Sequence, residues 1–217
     1  MKVTLDTVLF DYRRDERPVV FLQIGAFDGV TNDPLYPLLE KHSLRGTLVE
    51  PQREVFDRLI ANYAGFDEGR FTFVNAAVGA EDGERPLYRV RADAPGPPWL
   101  HQIASFDRDV VLKHANLVPG LEALIEVEQV RCLTFESLLS QCTIGPIEVL
   151  QIDAEGYDRE LLRLFDVPAR RPAIVRFEHK HLSRPDYADC LDLLKHEGYQ
   201  IFAARDDTLA YLKQRSG

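Results

Sequence analysis

The chain has 217 residues, with 26 Lys and Arg against 35 Asp and Glu and a net charge of −9. That length lets one large domain bury roughly 70% of the surface its unfolded chain exposes, so neither metals nor disulfides are needed for stability. The acidic balance, with no basic cluster along the chain, repels polyphosphate backbones, and nucleic acid is not expected as a partner. Cys132, Cys142 and Cys190 are widely spaced without a Cys-x-x-Cys pair, which reads as buried thiols in a reducing cytoplasm. The apolar runs Thr7–Phe10 and Val19–Ile24 are split by the charged stretch Asp11–Arg17, unlike a signal peptide. No run reaches the ~18 apolar residues of a membrane helix, so a cytoplasmic protein with no membrane partner is expected.

In chain order, short β-branched runs alternate with stretches of helical period, the pattern of βα units feeding a mostly parallel sheet. Strands are expected at Val19–Ile24, Gly46–Glu50, Phe71–Asn75, Ile147–Ile152 and Ala173–Glu178, with helices at Pro34–His42, Arg53–Tyr63, Phe135–Gln141 and Asp158–Phe165. A helix at Asp186–His196 has an N-cap in Ser183 and a stop at Gly198. Strands at Gln200–Ala204 and Thr208–Leu212 flank Arg205-Asp206-Asp207 as an antiparallel hairpin. The domain is read as 1–217, interrupted at about 85–131. There, strands at Leu87–Arg91 and Ile125–Arg131 enclose a Pro- and Gly-rich stretch with the only tryptophan and a helix at Asp107–His114. A long excursion of this kind suits a substrate cover. Arg85, Arg89 and Arg91 alternate on its first strand and read as a solvated edge.

The run Phe21-Leu22-Gln23-Ile24-Gly25-Ala26-Phe27-Asp28-Gly29 is an apolar strand entering a glycine turn, where positive φ lets the backbone approach a ligand. About twenty residues on, Leu48-Val49-Glu50-Pro51 ends a second strand in an acid, the spacing that puts a carboxylate on ribose hydroxyls. A nicotinamide or flavin cofactor needs a second glycine to clear room for its pyrophosphate. Here Ala26 and Phe27 stand there, and Asp28 directs a negative charge at a phosphate. S-adenosylmethionine, with a sulfonium and an amino-acid end, fits these residues better than NAD.

These residues, with Asn75-Ala76-Ala77-Val78, Ala104-Ser105-Phe106-Asp107, Leu150-Gln151-Ile152-Asp153-Ala154-Glu155-Gly156-Tyr157-Asp158 and Phe177-Glu178-His179-Lys180-His181, make the chain resemble the FkbM family of S-adenosylmethionine-dependent methyltransferases. The resemblance implies a class I methyltransferase, Rossmann-like α/β fold: a mostly parallel seven-stranded sheet, a C-terminal antiparallel hairpin and an inserted substrate-covering segment. It implies that Gln23, Gly25, Ala26, Phe27, Asp28 and Gly29 surround the methionine part, that Glu50 and Pro51 meet the ribose, and that Asn75, Ala76 and Ala77 frame the adenine. It departs at Phe27, where this subgroup has Asn, removing one polar contact near the cofactor's amino-acid end. The activity implied is O-methylation of a sugar, glycan or other small hydroxylated metabolite, with S-adenosylhomocysteine as product.

The reaction rim is expected where Asp153 ends a strand beside the cofactor, with Glu155 two residues on and Glu178, His179 and His181 at the next strand end. In extended chain His179 and His181 share a side and Glu178 faces away. Two chemistries compete: a general base drawn from Asp153, Glu178, His179 and His181, or a divalent cation held by Asp153, Glu155 and His179. No metal is the favoured expectation. Within the excursion Trp99, His101, Gln102 and Ser105, with Glu155, are candidate acceptor contacts. A homodimer, should one form, is expected to use an apolar face of the 95–131 excursion. The competing readings are a nucleotide-binding module without catalysis and an NAD-dependent oxidoreductase.

Overall fold

The computed structural model describes residues 3–12, 17–142 and 145–213. Part of the charged Asp11–Arg17 stretch and both ends of the 1–217 span lie outside these residues. An unanticipated helix, α1 (Leu5–Tyr12), buries Leu5, Val8 and Leu9 and precedes β1 (Val19–Ile24), which is buried at every position. Strand β1 pairs in parallel with β2 (Leu44–Val49) on one side and, after the chain has travelled far beyond, with β8 (Val149–Ile152) on the other. The remaining elements of the first half are α2 (Arg53–Tyr63), β3 (Phe71–Val74), β4 (Ala77–Val78), β5 (Gly83–Val90), β6 (Ala104–Ser105), α3 (Arg108–Leu112) and β7 (Ile125–Leu133). Those of the second half are α4 (Phe135–Ser140), α5 (Asp158–Leu164), α6 (Val167–Arg170), β9 (Ile174–Glu178), α7 (Arg184–His196), β10 (Gln200–Ala203) and β11 (Asp207–Tyr211).

The main sheet has seven strands in the order β10-β11-β9-β8-β1-β2-β3, with only β11 antiparallel to its neighbours. Alternating side chains feed two cores. Leu22, Ile24, Leu150, Ile152 and Phe177 face Leu161, Leu162 and Phe165 of the α5 region and Leu194 of α7. Phe21, Leu48, Val149 and Ile174 face Leu9 of α1 and Leu59 and Tyr63 of α2. The chain reverses its direction of travel across the sheet at β1, so a crevice opens beyond the carboxyl ends of β1, β2 and β8.

The expected helix at Pro34–His42 is replaced by a single 3-10 turn at Tyr36–Leu38, and β2 starts early, at Leu44. Pro37 has no N–H for a helical bond to residue 33. The Asp33 carboxylate instead accepts from the N–H groups of Leu35 and Tyr36, both at 2.7 Å, closing a tight turn. Helix α7 follows its expectation, with Ser183 Oγ accepting from Asp186 N and Gly198 at φ +85° ending it.

The excursion is more than a loop. Strands β4, β7, β5 and β6 form a second sheet in that order, and the segment carries its own core of Val90, Leu100, Ile103, Val111, Val118 and Leu121. Its first strand is not a solvated edge. Strand β5 lies between β7 and β6, and Arg89 is enclosed by Glu126 at 2.7 Å and Glu128 at 2.8 Å.

Candidate active site

Gly25, at φ +76°, ends β1 so close to β8 that a Cβ there would lie 1.8 Å from the Asp153 carbonyl oxygen. The turn is tied to β2 as well, because the N–H groups of Gly25 and Ala26 both donate to the Val49 carbonyl at 3.0 Å. Phe27 follows at φ +49° and donates its N–H to Glu50 Oε2 at 2.9 Å. Glu50 is 3% exposed, and its other oxygen accepts from Gln52 N at 2.9 Å. Burial pushes its carboxyl up to about 7, against the pull of the Gln52 and Phe27 N–H groups. Gln23 donates its amide to the Asp33 carboxylate, leaving its own Oε1 buried and without a partner.

The crevice beyond these residues is lined by Gln23, Gly25, Ala26, Phe27, Glu50 and Pro51 on the β1–β2 side. Ala76, Ala77, Val78 and Leu87 give it an apolar wall, and Asp153 with Glu155 forms the far rim. Gln102, Ala104, Ser105 and Phe106 reach it from the excursion, with Ser105 Oγ donating to the Glu155 carbonyl at 2.9 Å.

Five expected contacts do not line it. The Asp28 carboxylate folds back onto Val30 N and Thr31 N, and Gly29 serves packing, since a Cβ there would strike Leu59 and Tyr63. Asn75 donates its amide to the Glu50 and Pro51 carbonyls, so it braces the strand end, while Ala76 and Ala77 line the crevice. Trp99 belongs to the excursion's own core, its ring 5.5 Å from that of His114, and His101 lies in the same 3-10 turn away from the crevice lining. Gln151, Asn32 and Phe106 line the crevice unforeseen, Gln151 from the last position but one of β8.

At the rim the expected orientation is reversed. Strand β9 stops at Glu178, so the two-residue alternation does not extend to the histidines. His179 turns away, its Nδ1 3.0 Å from Thr208 Oγ1 and its ring stacked on Tyr187 at 4.4 Å. Glu178 and His181 meet instead: His181 Nε2 lies 3.6 Å from Glu178 Oε2 and 2.9 Å from Glu155 Oε2. The alternative cation trio of Asp153, Glu155 and His179 is therefore not assembled, and Glu155, Glu178 and His181 converge instead. Burial, reinforced for Asp153 by the charges of Glu178 and Glu155 and for Glu178 by that of Glu155, raises both carboxyls well above the usual range. Asp158 accepts from Ala154 N and Gly156 N and holds the turn from β8 into α5.

A family model for the FkbM methyltransferase domain matches residues 23–201. The chain belongs to the FkbM methyltransferase family. Among solved structures it is similar to an FkbM methyltransferase from Methylobacillus flagellatus KT, with 14% identity over 91% of this chain and 45% of that one, at a TM-score of 0.52. It is also similar to a precorrin-6y C5,15-methyltransferase from Geobacter metallireducens GS-15, with 10% identity over 96% and 87% of the two chains, at 0.48. The chain thus spans under half the length of the M. flagellatus protein. No match is found among curated proteins. Its sheet, parallel but for β11, is the class I methyltransferase arrangement that the FkbM resemblance implies. The FkbM match begins at Gln23, near the end of β1, and ends in β10, so it takes in every residue that lines the crevice. Among the described residues no helix is long and apolar enough to cross a membrane.

Proposed function

We propose that this FkbM-family chain transfers the methyl group of S-adenosylmethionine to a hydroxyl oxygen of a sugar, glycan or other small hydroxylated metabolite. One observation carries the reading: the crevice lining includes four carboxylates, Asp33, Glu50, Asp153 and Glu155, and no Lys, Arg or His. Such a lining opposes the pyrophosphate of a dinucleotide and favours a ligand bearing a sulfonium and an ammonium. The residues fit that ligand. Glu50 would accept from the ribose hydroxyls, Ala76, Ala77 and Leu87 would cover the adenine, and the unpartnered Gln23 Oε1 would accept from the ammonium. When bound, the cofactor supplies an electrophilic methyl carbon that an acceptor oxygen can take, leaving S-adenosylhomocysteine.

The remaining work falls to the rim. Asp153, on the crevice rim, would take the acceptor's hydroxyl proton as the oxygen becomes alkylated. Excursion residues Gln102 and Ser105 would hold the acceptor's other polar groups. The acidic lining disfavours an anionic acceptor. Calorimetry with S-adenosylmethionine, S-adenosylhomocysteine and NAD, followed by transfer of labelled methyl to a panel of sugars and hydroxylated metabolites, tests the reading. Binding of NAD alone would overturn it. Asp153→Asn should keep S-adenosylhomocysteine affinity while turnover falls roughly 10²-fold or more; equal losses of both would make Asp153 a cofactor residue.

A further inference from the structure

Three side chains from separate segments meet just behind the acceptor rim: Glu155 from the turn after β8, Glu178 from the last position of β9, and His181 from the turn that follows. We infer that Glu155, Glu178 and His181 form a binding site for a divalent transition-metal cation at the acceptor end of the crevice.

The geometry is that of a ligand set. One atom from each, two carboxylate oxygens and the imidazole Nε2, lie within 4.8 Å of one another. The closest approach, 2.9 Å between His181 Nε2 and Glu155 Oε2, has the distance of a hydrogen bond but not its alignment. Glu155 Oε2, Glu178 Oε2 and His181 Nε2 are all buried, and none has a hydrogen-bond partner. His181 is only 8% exposed. Leaving one buried polar atom unsatisfied costs about 1–3 kcal/mol, more when the group is charged, so three converging on one point call for an occupant. Ligands about 2.0–2.2 Å from a common ion stand roughly 2.8–3.6 Å apart at octahedral to tetrahedral angles, a range that takes in the 2.9 and 3.6 Å separations.

Charge points the same way. Asp153, Glu155 and Glu178 crowd one small volume, and the neighbouring Lys113 ammonium is engaged by the His181 carbonyl at 3.3 Å. A doubly charged ion would offset that repulsion. Mixed oxygen and imidazole ligation suits Mn²⁺, Fe²⁺ or Zn²⁺ over Ca²⁺ and Mg²⁺, which take oxygen. Three protein ligands leave coordination positions open. Glu155 belongs both to the trio and to the crevice lining, so those positions adjoin the space proposed for the acceptor. An acceptor hydroxyl bound there would be held in place and acidified. That role rests on the methyl-transfer reading; binding of the ion does not.

The test uses chelator-treated protein titrated with Mn²⁺ alone, with free ion followed by electron paramagnetic resonance and S-adenosylhomocysteine binding measured on the same samples. One Mn²⁺ should bind per chain, and its spin echo should carry modulation from one imidazole nitrogen. Glu178→Gln and His181→Gln should each weaken Mn²⁺ on the order of tenfold or more while S-adenosylhomocysteine affinity stays within about threefold. The nitrogen modulation in the parent protein decides the matter even where a variant does not fold. Absence of saturable binding, binding unchanged in both variants, or no nitrogen modulation overturns the site. Mn²⁺ binding without S-adenosylhomocysteine binding would leave the site standing and remove the methyl-transfer reading; the converse would do the opposite.

Discussion

At the scale of single residues, Glu50 joins folding to ligand binding. Its two oxygens already hold the N–H groups of Phe27 and Gln52, and burial still pushes its carboxyl up to about 7. A raised folded pKa means that the protonated form stabilises the empty fold: the contribution is complete below about 4.5 and is lost as pH rises through about 7. Ribose hydroxyls are donors and favour the ionised form, so ligand affinity should run in the opposite direction. Calorimetric titration with S-adenosylhomocysteine should show Kd weakening by up to about tenfold per pH unit below 7, and Glu50→Gln should flatten that profile and weaken binding at pH 8. A parent profile flat from pH 5.5 to 8.5 would remove the ribose assignment. Phe27 has a cost of a different kind. Its φ of +49° lies in the left-handed region that Asn tolerates better than Phe, a backbone reason for the Asn that the family resemblance implies at this place. In this chain the ring sits under Arg58, whose guanidinium carbon is 5.7 Å from its centroid.

At the scale of elements, the join of β1 to β8 through Gly25 leaves no room for a side chain. Gly25→Ala combines a clash on the Asp153 carbonyl with a left-handed backbone and should lower stability by about 2–5 kcal/mol, read from urea unfolding, with loss of S-adenosylhomocysteine binding. Gly65→Ala, where an added Cβ meets nothing within 4 Å, is the control and should shift stability by less than about 1 kcal/mol. Central strands such as β1 and β8 were legible because burial on both faces demands unbroken apolar runs. Glu50 was legible because a strand end followed by Pro51 locates itself. The 34–42 segment was misread because its apolar spacing resembles a helix, while Pro37 and the Asp33 cap decide the local hydrogen bonding. The rim was misread because side-chain alternation holds only while a strand lasts, and β9 ends one residue before His179. The meeting of Glu155, Glu178 and His181 depends on how two turns are packed side by side, which no spacing along the chain encodes.

At the scale of the whole molecule, the second sheet divides labour with the first. The main sheet supplies Glu50 and Asp153; the excursion supplies Gln102, Ser105 and Phe106 from across the crevice. Trp99 holds that excursion together, so Trp99→Ala should lower the thermal midpoint while S-adenosylhomocysteine affinity stays within about threefold. Gln102→Ala should do the reverse, raising KM for the acceptor with little change in the midpoint. An altered acceptor KM for Trp99→Ala with an unchanged midpoint would restore the tryptophan as an acceptor contact. The pairing that closes the excursion runs in register from Gly83 opposite Cys132 to Val90 opposite Ile125. The segment therefore leaves and rejoins the main body along one seam, and beyond it Leu100, Val111, Val118 and Leu121 pack around an interior of their own. Diversification of acceptors within such a scaffold can proceed by rewriting what lies past that seam, while the half of the crevice assigned to the methyl donor is inherited unchanged.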